Sequence, residues 1–124
     1  MREALRKHHI SFKDAWAGIV WALKTQPNFR VHAALSLLAL GLARYFNITK
    51  SETIVIIFTI ILGFAAEMIN TSLESMTDLI TTEWRQEAKR AKDVAAGMML
   101  LVAIGAVAVA VLIFGPHIVD LLSG

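Results

Sequence analysis

Glu67, Asn70, Glu74 and Asp78 recur at offsets of 3, 7 and 11 residues in the run from Thr53 to Asp78. On a helix turning about 100° per residue, these offsets return to within about 60° of one direction. Three carboxylates and an amide therefore share one stripe. Ahead of them Thr53–Ala66 contains no charge, and at about 1.5 Å per residue it places Glu67 about 21 Å along a membrane-spanning helix. In a hydrocarbon layer of about 30 Å, that leaves Glu67 about 9 Å short of the inner boundary. An acidic side chain there costs roughly 2.5–3.5 kcal/mol on insertion, so its default reading is functional. An acid at that depth could take a proton from a lipid hydroxyl. Glu74, about 10 Å further along and level with the headgroups, could hold Mg²⁺ beside phosphate oxygens.

The following stretch, Ile80–Lys92, reads as a polar connector and adds Glu83, Arg85, Lys89, Arg90 and Lys92, with Asp93 next. Lys92 is placed to neutralise phosphate charge. Phosphoryl transfer needs little more than positioning, a metal, cationic stabilisation and a group that orients the hydroxyl. Neither a P-loop nor a protein-kinase glycine loop is present, so a nucleotide would bind in another way. Blander readings stand beside these. A lone intramembrane Glu can be a structural hydrogen-bonding group, but four polar residues in register favour a site. The charges at Lys89–Asp93 taken alone are a solvated face. His8-His9, without further ligands, is a solvated pair, and His32 is evenly divided between function and the interface. Trp16, Trp21 and Trp84 read as interfacial anchors, with stacking on a base the alternative for Trp84.

The elements that carry these residues follow from composition. The chain has 124 residues, 56% hydrophobic and 18% charged, with mean hydropathy +0.61. Soluble domains average about 45–50% apolar and about 25% charged. The expectation is one all-α membrane domain over residues 1–124. It has an amphipathic surface helix near 11–25, ended by Gln26-Pro27, and three spans near 28–46, 53–73 and 94–114. Gly115-Pro116 is expected to stop the third. A secretory leader is not expected, because no small-residue cleavage site follows an early apolar core. No cysteine is present, which excludes thiolate chemistry, and a net charge of +2 gives no reason to expect nucleic acid. Basic residues crowd the stretch before the first span and the connector. By the positive-inside rule the N-terminus is cytoplasmic and the C-terminus outside. The third span is rich in Ala and Gly, which permits close helix approach.

The stretch Glu67-Met68-Ile69-Asn70-Thr71-Ser72-Leu73-Glu74-Ser75-Met76-Thr77-Asp78 resembles the signature of the bacterial diacylglycerol kinase family, which includes undecaprenol kinases. Arg90-Ala91-Lys92-Asp93, Asn28-Phe29-Arg30-Val31-His32 and the Phe12…Ala15…Gly18 spacing are similar to that family as well. The resemblance implies a small three-span homotrimer with composite sites, moving the ATP γ-phosphate to a lipid hydroxyl with Mg²⁺. It implies Glu67 as proton acceptor, Glu74 as metal carboxylate, and Glu83, Lys92 and Asp93 as nucleotide contacts. Asn70, Asp78 and Arg30 match supporting positions. Gln26 falls where many members carry a second metal-binding Glu, and supplies a neutral carbonyl in its place. The Asn28–His32 segment is closer to the undecaprenol kinases, so undecaprenol is the expected acceptor, with diacylglycerol the alternative. The rival readings are a proton or cation pathway lined by Glu67, Glu74 and Asp78, and a purely structural oligomer. A pathway would want acids deeper in the spans, and an oligomer would leave the stripe without purpose.

Overall fold

In the computed structural model, residues 11–124 are described, and among them the chain is helical throughout, in four helices. These are α1 (Phe12–Thr25), α2 (Pro27–Tyr45), α3 (Lys50–Ile80) and α4 (Gln86–Ser123). His8 and His9 lie outside the described residues.

Local chemistry sets most of the boundaries. Ser11 caps α1 by accepting from the Asp14 amide at 3.5 Å. Gln26 ends α1 and begins α2 in an extended conformation, with Pro27 in the first turn where its missing N–H is harmless. Asn47 takes a φ of 50°, the left-handed conformation that asparagine tolerates. Thr49 then caps α3, accepting from the Glu52 amide at 3.2 Å, an arrangement that puts an acid at the positive helix end.

Two expected boundaries are wrong. The polar connector is only Thr81–Arg85, and Gln86–Lys92 already forms the first turns of α4. Glu83 closes the connector by donating its amide to Thr81 Oγ1 at 3.1 Å. Gly115-Pro116 does not stop the last helix, which continues to Ser123. Pro116 deprives the Leu112 carbonyl of its usual amide partner. Contacts on either side of it hold the helix together. Phe114 is buried with Ala43 and Ile56, while His117 stacks on Phe46 at 5.3 Å and approaches Glu52 at 3.6 Å.

Helices α3 and α4 are long and apolar enough to cross a membrane, and by this measure α2, with Arg30, His32 and Arg44 in it, is not. They form the most extensive helix pair, with α2 alongside and α1 packed chiefly on α2. Small residues make the contact close, Ala66 being 3% and Ala95 2% exposed. Outward from it stand large apolar side chains such as Phe58, Leu101, Val107 and Leu112. Apolar surface on that scale is what a bilayer or a second chain covers.

Candidate functional site

The site lies where α2, α3 and α4 converge. Phe29 anchors α2 there, buried against Phe64 with ring centroids 4.9 Å apart. One turn on, His32 rests against Gly63 of α3, where a side-chain carbon would stand 3.2 Å from Nδ1. One turn beyond Gly63 comes Glu67, only 3% exposed. His32 Nε2 stands 3.8 Å from Glu67 Oε2, an ion-pair separation but too long for a direct hydrogen bond. Oε2 is buried with no hydrogen-bond partner. Buried polar atoms are nearly always satisfied, so an orphaned carboxylate oxygen is a standing cost that a function must justify. Glu67 and His32 border a cleft of about 290 Å³ whose other walls are Asn28, Val31, Met99, Leu100 and Ala103. The cleft is thus apolar apart from one amide, one imidazole and one carboxylate.

Further along α3 the stripe makes two separate polar contacts. Asn70 Nδ2 donates to Glu74 Oε1 at 3.4 Å, while Asn70 Oδ1 is buried without a partner. Glu74 is exposed. Asp78 accepts from Lys92 Nζ at 2.6 Å across the α3–α4 turn. That hydrogen bond raises the Lys92 ammonium above the usual lysine range, so it stays charged well beyond neutrality. The stripe anticipated from helical spacing is therefore one face, running from a buried acid to an exposed cation.

The remaining expected site residues are dispersed in the single chain. Lys89 holds Asp93, and Arg85 holds Glu83 at 3.1 Å, both pairs exposed. The Gln26 side-chain amide donates to Thr25 Oγ1 at 3.2 Å. Among the described residues, no hydrogen bond or ion pair joins Gln26, Arg30, Glu83 or Asp93 to Glu67 or Glu74. No three His, Asp or Glu side chains converge as a metal cluster among the described residues either. An exposed carboxylate steadied by Asn70 still suits Mg²⁺, which takes one or two carboxylates and completes its shell with phosphate oxygens and water. The pairing of His32 with Glu67 was not legible from the sequence. The signal available was Gly63, four residues before Glu67 and hence on the same helix face, leaving a slot for a neighbouring ring.

A family model described as prokaryotic diacylglycerol kinase matches residues 13–114. A diacylglycerol kinase of Synechocystis sp. is 37% identical over 114 residues, which is 91% of this chain and 65% of that protein. The chain thus spans just under two thirds of that relative's length. An undecaprenol kinase of Bacillus subtilis is 33% identical over 94% of this chain and 95% of its own length. A diacylglycerol kinase of Haemophilus influenzae is 32% identical over 67% of this chain and 70% of its own.

Proposed function

The chain belongs to the prokaryotic diacylglycerol kinase family of ATP-dependent membrane lipid kinases, and from that premise we propose that it phosphorylates undecaprenol. The observation that carries this reading is the buried, unpartnered Glu67 oxygen in a cleft with few other polar groups. Undecaprenol brings one hydroxyl on a long apolar chain, and such a cleft matches that economy of polar contacts. The match to the Bacillus subtilis undecaprenol kinase, over 94% of this chain and 95% of that one, supports it. Diacylglycerol is the second reading, favoured by the higher identity to the Synechocystis diacylglycerol kinase.

In this reading Glu67 takes the proton as the lipid oxygen attacks the γ-phosphorus and ADP departs. Glu74 would hold Mg²⁺, which would supply charge neutralisation for the nucleotide phosphates. Gln26 contributes at most a neutral carbonyl. Asn70 steadies Glu74, Asp78 holds Lys92 in place, and Lys92 faces the phosphate charge. Glu83 and Asp93 contact the nucleotide, and Arg30 lies near its approach. Helix α2 is the first of three spans, drawing on interfacial residues at both ends, and α1 lies on the cytoplasmic surface. The N-terminus and the Thr81–Arg85 connector face the cytoplasm, where ATP is, and the C-terminus faces outward. Three chains assemble, so that α1 and Gln26 of one approach Glu67 and Glu74 of another. This accounts for the dispersal of the nucleotide residues in one chain.

Transfer of labelled γ-phosphate from ATP to a panel of lipid alcohols by the purified chain tests the reading. Preferential labelling of undecaprenol is the expected result. Preference for diacylglycerol overturns the acceptor, and labelling of no lipid overturns the kinase assignment.

A further inference from the structure

We infer that His32 is a positioning residue for Glu67 and that Gly63 exists to give its ring a seat. The inference rests on the proton-accepting role proposed for Glu67. Glutamate has three side-chain torsions, so a buried, unpartnered carboxylate needs something to select one orientation. Among the described residues, His32 is the one group able to carry positive charge within 4 Å of it. Asn70, one turn away, has its Nδ2 engaged with Glu74. From α4 the cleft receives only Met99, Leu100 and Ala103, which offer no side-chain hydrogen bond. The task therefore falls to α2, and His32 Nε2 faces Glu67 Oε2 from there.

The ring itself is seated by α3. Its Nδ1 and Cε1 atoms lie over Gly63, where an added Cβ would come within 3.2 and 3.5 Å. Phe64 flanks it with centroids 6.3 Å apart. Alanine at 63 would displace the ring by a few tenths of an ångström without touching Glu67. At a separation of 3.8 Å, such a shift changes how firmly the carboxylate is held. Gly63 and Glu67, one turn apart on α3, thus act on each other through a side chain of α2.

The test uses the full chain in bicelles and four variants: His32→Leu, His32→Gln, Gly63→Ala and the His32→Leu/Gly63→Ala double. His32→Leu is expected to lower kcat by roughly 10- to 100-fold, the scale of a misplaced catalytic group. KM for ATP should stay within about twofold, since nucleotide binding is untouched. His32→Gln, which returns an N–H dipole but no positive charge, should recover only part of kcat. Gly63→Ala should fall between, and the double variant should be no worse than His32→Leu, because both act through one ring. Unchanged kcat in His32→Leu, or multiplicative losses in the double variant, overturns the inference. Imidazole ¹⁵N spectra give a readout independent of turnover and of the fold of His32→Leu. The His32 Nε2 signal should move in Glu67→Gln and in Gly63→Ala, and a signal unmoved in both overturns the inference. An unaltered chain that labels no lipid defeats the kinase reading instead, and the spectra still decide the pairing.

Discussion

The two ends of the helix bundle are built on opposite terms. Around Ala43, Ile56 and Phe114 the interior is apolar, the α2–α3 turn is capped, and Phe46, His117 and Glu52 close over it. At the other end a carboxylate is buried without a hydrogen bond, beside a cleft, and the stripe beyond it runs through an Asn70–Glu74 hydrogen bond to one exposed ion pair, Asp78–Lys92. Both ends bury apolar side chains, but among the described residues unsatisfied buried polarity occurs only at the end where chemistry is proposed. One end holds the helices in register so that the other can carry a group that stability alone would remove.

Substitutions that separate activity from stability sharpen this contrast. Glu67→Gln should lower kcat by about 10²- to 10⁴-fold, the usual weight of a general base, with thermal stability kept or raised. Near-normal turnover would remove Glu67 from the proton-transfer role. Phe114→Ala should do the reverse. Its expected cost is about 1–3 kcal/mol, below the roughly 3–5 kcal/mol of soluble cores because lipid tails replace part of the apolar contact. Activity per folded molecule should be unchanged, and a kcat loss equal to that of Glu67→Gln would erase the division between the ends. Glu74→Gln should raise the Mg²⁺ midpoint for turnover by about 10-fold, and an unmoved titration would place the metal elsewhere. The smallest effect concerns Lys92. Its folded-state pKa is raised by Asp78, so the stability from that pair is fully present below the ordinary lysine pKa. It is lost only as the pH rises through the higher folded value. Comparison with Asp78→Asn should therefore show no difference in the pH dependence of stability between pH 6 and 9, and a divergence only in stronger alkali. A divergence near neutrality would contradict the hydrogen bond.

The sequence made the end of α1 legible, because Gln26-Pro27 is a local signal that acts on its own backbone. The polar stripe was legible for a similar reason, since helical spacing alone puts Glu67 and Asp78 on one face. What involved partners from other helices was not. Gly115-Pro116 reads as a stop, and nothing local says that Phe114 and His117 grip the α2–α3 turn on either side of it. The connector seemed longer than it is because Gln86–Lys92 is polar, although its residues, rich in Ala, Lys, Glu, Gln and Arg, are good helix formers. His32 was evenly balanced because its meaning depends on a glycine on another helix.

The length of α3 has a consequence for the membrane itself. Its 31 residues make a rod of about 46 Å, against a hydrocarbon layer of about 30 Å. A rod does not compress, so a thicker or thinner bilayer is met by tilt or by sliding. Either movement carries Glu67 nearer to the headgroups or farther from them. In the proposed reaction, the depth at which a lipid hydroxyl would meet a water-borne phosphate then depends on acyl-chain length. Turnover measured in bilayers of stepped thickness should pass through a maximum, whereas a flat response would mean that the proton acceptor and the phosphate site travel together.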